Sequence, residues 1–363
     1  MTRPGRVGAR LAIASALLFG VSTPLAKSLL GDGVSPFLLA GLFYLGSGAG
    51  LGLVRMGQGG LGLPPAEATL RRSDIPWLAL VTASGGVAGP ILLMLGLGTT
   101  PASTASLLLN LEGVATMAIA WVAFREHVDR RLLLGAGSIL AGAALLSWQG
   151  GPVKFGPGAL AIAGACIAWG IDNNLTRKLS AADPVQIAMA KGLVAAAVNL
   201  AIAFGLGAAL PSAIAMAVAV VIGFLGYGVS LVLYVRSLRH LGAARTGAYF
   251  ATAPFIGAAV AIPMFGEPLT ARLVVAGLLL AIGLYLHLAE AHEHEHVHEA
   301  IGHAHRHSHD AHHRHPHGAD DPAGDPHAHW HVHAPLRHSH AHYPDPHHRH
   351  GHHRPAPDGA APG

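Results

Sequence analysis

The sequence predicts an all-α integral membrane protein: ten transmembrane helices, arranged as two five-helix repeats of inverted topology, with a disordered tail behind them. Three observations carry that expectation. Only 12% of the 363 residues are charged and 52% are hydrophobic, against about 25% charged in ordinary soluble chains. Ten apolar runs reach the roughly 20 residues that cross a bilayer as a helix. The stretch Leu107–Glu126, LLLNLEGVATMAIAWVAFRE, has a counterpart 141 residues later in Ala248–Glu267, AYFATAPFIGAAVAIPMFGE. The runs do not alternate apolar with polar residues, which sets aside a β-barrel.

In order, the expected spans are Leu11–Leu30, Val34–Val54, Ile75–Leu97, Ala102–Phe124 and Leu132–Trp148. The second set is Gly158–Lys178, Pro184–Ala208, Ser212–Val235, Ala243–Phe265 and Ala271–Ala289. Residues 11–148 then form the first repeat, 157–289 the second, and 290–363 the tail. The first run follows Arg3, Arg6 and Arg10 as a signal peptide would, but nine further runs favour a first transmembrane helix. Putting the N-terminus inside gives the cytoplasmic segments Arg3, Arg6, Arg10, Arg55, Arg71, Arg72, Arg125, Arg130, Arg131, Arg177, Lys178, Arg236, Arg239 and Arg245. It leaves only Lys154 and Arg272 outside. Basic residues favour the cytoplasmic side, so both termini are expected there, in a cell's inner or plasma membrane. The basic residues are spread over short loops and form no single face, which excludes a nucleic-acid partner.

Paired residues mark the repeat. Gly20 and Gly170, and Lys27 and Arg177, are 150 apart; Glu126 and Glu267, Arg131 and Arg272, and Gly142 and Gly283 are 141 apart. Five spans per half is an odd number, so the second half enters from the opposite side. Gly48 with Gly52, and Gly85 with Gly89, have the spacing of close helix contacts. Pro24, Pro90, Pro254 and Pro263 fall inside spans. Each removes a helical N–H donor, and Pro24 and Pro254 are the stronger candidates for breaks that line a cavity. Cys166, the one cysteine, reads as a small buried hydrophobe.

Charges near the bilayer centre are costly and need a reason. Glu112 is ten residues into its span; it reads as a proton-coupling or cation-binding group, or as a structural carboxyl bonded to Asn110 or Asn199. Asp172 and Lys191 fall at matching depth, about 10 Å, on consecutive spans, and read as an ion pair, structural or opening during transport. Asn173 and Asn174 follow Asp172, so at least one faces protein or water. Trp169 reads as a cavity wall or as core. Lys27 reads as a snorkelling or structural cation. Glu126 and Glu267 precede helices with Asp129 and Thr270 as N-cap candidates, a structural role. There is no Gly-Lys-Ser/Thr phosphate loop, and neither an enzyme nor a required cofactor is expected.

The motifs resemble the EamA family of the drug/metabolite transporter superfamily. They are LFGVSTPLAKSLL and the run TTPASTASLLLNLEGVATMAIAWVAFREHVDRRLLLGAGSILAGAALL, repeated as IAWGIDNNLTRKL and LGAARTGAYFATAPFIGAAVAIPMFGEPLTARLVVAGLLLAIGLYL. The resemblance covers about residues 11 to 289 and implies the ten-helix fold and a transporter, without naming its substrate. Members commonly carry proline where this chain has Gly113, so Glu112-Gly113 is a departure that draws attention to Glu112.

Of the 27 histidines, all but His127, His240 and His287 lie in the tail. Many alternate: His292, His294, His296, His298, then His303, His305, His307, His309, then His327, His329, His331, His333. With few apolar residues the tail is expected to be disordered without metal, and imidazoles suit Zn²⁺, Ni²⁺, Co²⁺ or Cu²⁺. Histidines mixed through the tail in this way do not resemble a purification tag. Three functions follow as expectations. The leading one is a secondary transporter, an exporter of a small metabolite or drug, proton-coupled, with an accessory metal-binding tail. The second is a divalent metal exporter fed by the tail, and the third a membrane-anchored metal buffer or sensor. A homodimer stays open.

Overall fold

The computed structural model describes residues 3–60, 70–124, 128, 130–148, 156–176, 179, 183–288, 292–298, 301–307, 327–333 and 336–342. Expectations about Arg125, Glu126, His127, Asp129, Lys154, Arg177, Lys178 and His309 lie outside these residues. The chain divides into one unit of Met1–Glu290 and another of Ala291–Gly363. In the first, the described residues are helical throughout.

Helices α1 (Arg3–Gly31) and α2 (Pro36–Gly60) are joined by a tight turn at Gly33, whose φ of 85° suits a residue without a Cβ. The third expected span is three pieces in line: α3 (Ile75–Val81), a π-helical turn over Thr82–Ala88, and α4 (Gly89–Thr99). The fourth is broken. Helix α5 (Ala102–Leu108) ends, Leu109 and Asn110 form a turn, and α6 (Leu111–Phe124) begins with Glu112 in its first turn. Next come α7 (Arg130–Ser147), α8 (Pro157–Thr176), α9 (Pro184–Gly205) and α10 (Ala213–Gly223). A second π-helical turn, Phe224–Val229, leads into α11 (Ser230–Phe250), then α12 (Ala253–Phe265) and α13 (Ala271–Leu288).

The run α11 is not one rod. Ser237 Oγ lies 3.0 Å from Thr246 Oγ1, and the rings of Tyr234 and Phe250 are 5.0 Å apart. Nine residues of straight helix would separate the first pair by about 13.5 Å. The chain therefore doubles back between Ser237 and Thr246, where the sequence places a loop between spans.

Seven helical stretches among the described residues are long and apolar enough to cross a membrane, and Ala253–Phe265 and Ala271–His287 are shorter apolar helices. They pack without room at glycines. A Cβ on Gly192 of α9 would sit 2.8 Å from Gly48 Cα on α2. On α7 and α13, a Cβ at Gly135 would lie 2.9 Å from Gly283 O, and one at Gly283 2.6 Å from Gly135 O. Gly52, expected to share the first contact, has only an ordinary neighbour at 3.7 Å. Cys166 is fully buried, as expected.

Where disorder is expected, the tail unit contains four strands: β1 (His292–His298), β2 (Ile301–His307), β3 (His327–His333) and β4 (Leu336–His342). β1 pairs antiparallel with β4, and β2 with β3. The alternation of histidine with other residues has the two-residue period of a strand, so the pattern that suggested metal ligands also permits this pairing.

Candidate functional site

Two breaks in the helices assemble the polar centre. At the first, Asn110 is buried and its Nδ2 donates to Leu107 O at 2.8 Å, closing the end of α5. Asn110 is thus not a partner of Glu112. The second half repeats the device 142 residues on: Thr252 Oγ1 donates to Tyr249 O at 2.6 Å where α11 gives way to α12. In each case a polar side chain reaches back three residues to a carbonyl that the broken helix leaves open. Pro254 then stands in the first turn of α12, where its missing N–H costs nothing.

The other break is the first π-helical turn. Pro90 has no N–H to offer the turn before it. Gly85 O instead accepts from Tyr44 Oη at 2.7 Å and Trp169 Nε1 at 3.0 Å, and Gly86 O accepts from Asn199 Nδ2 at 2.9 Å. Trp169 is therefore core, not a cavity wall, and Asn199 is not a ligand of Glu112. Pro90, the weaker candidate by sequence, is the proline whose freed carbonyls are filled by three side chains from α2, α8 and α9.

The absent Cβ of Gly85 makes space for a charge. A Cβ there would lie 1.9 Å from Asp172 Oδ2. Asp172 is buried and forms an ion pair with Lys191 Nζ, while Thr176 Oγ1 donates to its other oxygen at 3.2 Å. The expected pairing is thus present, seated against the π-helical turn.

Glu112 is half-buried and receives Asn173 Nδ2 at 2.9 Å; the same amide reaches Thr116 Oγ1, one turn along α6, at 3.2 Å. Asn174 is buried and donates to Thr116 O and Gly170 O, at 3.0 and 2.8 Å, so it locks α8 to α6. Asn173 differs because it is exposed. It falls on the stripe of α8 that carries Ile162, Cys166 and Trp169, at i, i+4, i+7 and i+11, and those three are buried. The outward stripe, Leu160, Ile167 and Ile171, is the one that is exposed. An exposed amide on the inward face of a helix marks a crevice between helices.

The remaining charges are structural. Lys27 does not snorkel; its Nζ donates to Leu97 O and Gly98 O at the C-terminal end of α4, where a cation is favoured. Glu267 does bind a helix N-terminus, but that of α5: it accepts from Ala102 N at 2.6 Å, Ser103 N at 3.0 Å and the Ser103 hydroxyl. Thr270 caps α13 through Leu273 N at 3.2 Å, as expected. Sequence reasoning missed Tyr44, Thr116 and the Gly85–Gly86 carbonyls; the signal was Pro90 placed four and five residues after two glycines.

A multi-pass helical membrane protein with interrupted helices and polar groups at the interruptions is the class that this architecture defines. The profile of the EamA-like transporter family matches residues 6–148 and 156–289, and the chain belongs to that family. It is 27% identical over 297 residues to an uncharacterized transporter of Methanothermobacter thermautotrophicus, covering 76% of this chain and 84% of that protein. It is 30% identical over 138 residues to a probable terminal-alkyne amino-acid exporter of Streptantibioticus cattleyicolor, covering 37% of this chain and 46% of that protein. A solved crystal structure with TM-score 0.56 and 22% identity covers 77% of this chain and 95% of its own, and shares the fold.

Proposed function

We propose that this protein is a secondary active transporter, an exporter of a small organic metabolite or drug, with proton coupling at Glu112. The observation that carries the reading is the Glu112–Asn173 contact on an inward, exposed stripe beside a broken helix. Binding sites built at interrupted helices near the midplane are how many transporters work. The exporter relative supports the direction of transport, while its printed substrate belongs to that protein.

The architecture proposed is ten spans in two inverted halves, with both termini cytoplasmic. Support comes from the matching breaks 142 residues apart, from two π-helical turns in corresponding spans, and from glycine contacts that join α2 to α9 and α7 to α13. Each of those helix pairs is related by the repeat. The tail is proposed to bind Zn²⁺, Ni²⁺, Co²⁺ or Cu²⁺ as an accessory. A metal exporter fed by the tail is the second reading, favoured only by the tail's histidines. Among the described residues no group of three or more His, Cys, Asp or Glu side chains is placed to hold an ion. A buffer or sensor would leave the polar crevice without a use.

Nickel, cobalt and zinc accumulation in cells separates these readings. The comparison is between the full chain, a chain ended after Ala289, and Glu112→Gln. The organic-transporter reading expects no net metal loss from cells. Export lost in both variants would establish the metal exporter instead.

A further inference from the structure

The intramembrane charges of the described residues cancel with one exception. Asp172 and Lys191 neutralise each other, and Lys27 is held by two backbone carbonyls. Nearer the ends, Arg55 pairs with Asp183 at 2.8 Å, Glu267 serves α5, and Arg272 donates to Trp148 O and Leu146 O. Glu112 alone has only a neutral amide as its side-chain partner. Among the described residues no cation is within ion-pair distance of it. When ionised it leaves one uncompensated negative charge, in a place where such a charge is costly.

Its surroundings are aromatic. Tyr44, Tyr227 and Tyr234 are within electrostatic reach of Glu112. They belong to a chain of ring contacts in which Tyr227 meets Phe19, Phe43 and Tyr44 at 5.6, 5.6 and 5.7 Å. Ring faces attract cations, the more so when desolvated. The other titratable groups near Glu112 are Asp172, Lys191 and Cys166; the first two cancel and the thiol is buried.

We propose that the crevice at Glu112 takes an organic monocation, an amine or quaternary ammonium with an apolar or aromatic body, in exchange for one proton. Charge balances: the protonated carboxyl gives up its proton to solvent and the bound cation replaces it as the counter-charge. An anion would add to the uncompensated charge. A zwitterion such as an amino acid would need a cation for its own carboxylate, and Lys191 is already taken by Asp172. The binding claim stands on this arrangement, and the transport claim rests on the function proposed above.

The test is calorimetry on the full purified chain with benzyltrimethylammonium, run in buffers of different ionisation enthalpy to count the protons exchanged. Phenylalanine and benzoate are the zwitterionic and anionic comparisons. The expected result is binding of the cation with about one proton released, and at least tenfold weaker binding of the other two. Glu112→Gln is expected to lose the proton release and to bind the cation at least tenfold more weakly. Glu112→Asp, which keeps the charge, is expected to restore the release. Binding of the cation without proton release, equal binding of phenylalanine or benzoate, or no binding of the cation to the full chain overturns the assignment. A transporter of another substrate class survives those outcomes, and it fails separately if the crevice is reached from one side of the membrane only.

Discussion

Breaking the Asp172–Lys191 pair one partner at a time should cost far more than removing both. The pair sits against Gly85, with side-chain exposures of 9% and 18%. Asp172→Asn leaves an ammonium with no counter-charge; Lys191→Met leaves a carboxylate with only the Thr176 hydroxyl. Stranding one member of a buried pair costs about 3–5 kcal/mol, whereas replacing both with neutral groups of similar volume is often close to neutral. Asn keeps the shape of Asp172 over Gly85, and Met keeps the stem of Lys191. The double variant should therefore lie within about 1–2 kcal/mol of the parent, giving a coupling of roughly 3 kcal/mol or more. Reversible unfolding of the detergent-solubilised protein measures the four corners of the cycle. Single variants that cost under about 1 kcal/mol each and add in the double would show a solvated pair of little worth, and would refute the reasoning.

Three further outcomes are expected. Glu267→Gln should weaken the N-terminus of α5, lowering stability by about 1 kcal/mol as for other lost helix caps, with transport retained; a loss of transport at unchanged stability would make Glu267 a functional carboxylate. Gly192→Ala places a methyl 2.8 Å from Gly48 Cα, and overpacking of that kind costs about 1–3 kcal/mol, read as a fall in melting temperature; an unchanged melting temperature would mean that α2 and α9 separate freely. Nickel held by the tail should be released as pH falls through about 6.5, because the neutral imidazole is the ligand and protonation removes it. Equilibrium dialysis from pH 8 to pH 5 reads this, and binding that is flat with pH would contradict histidine ligation.

The span order and the repeat were legible because apolar length and the spacing of Glu126 and Glu267 need no tertiary information. So was the Asp172–Lys191 pair, since two opposite charges at equal depth on consecutive helices have few other partners. The partner of Glu112 was not. Asn110 and Asn199 were reasonable by composition, yet both are used by carbonyls that local breaks set free, and those breaks follow from tertiary packing. Leu109-Asn110 contains no proline or glycine to announce a helix end. The destination of Glu267 was half legible: a carboxylate at a helix N-terminus was expected, but only the fold brings it to α5. The tail's period-two pattern reads equally as ligand spacing and as strand, which composition does not separate.

The most direct test of the central claim, a polar crevice reached in turn from both sides of the membrane, needs no knowledge of the substrate. With Cys166 replaced by serine and Asn173→Cys introduced, a membrane-impermeant maleimide is applied to inside-out and right-side-out vesicles. The account predicts labelling from both faces, slowed by Lys191-independent occupants of the crevice such as benzyltrimethylammonium if the cation assignment also holds. Labelling from one face alone, or from neither, would contradict a transporter that works through the Glu112–Asn173 site.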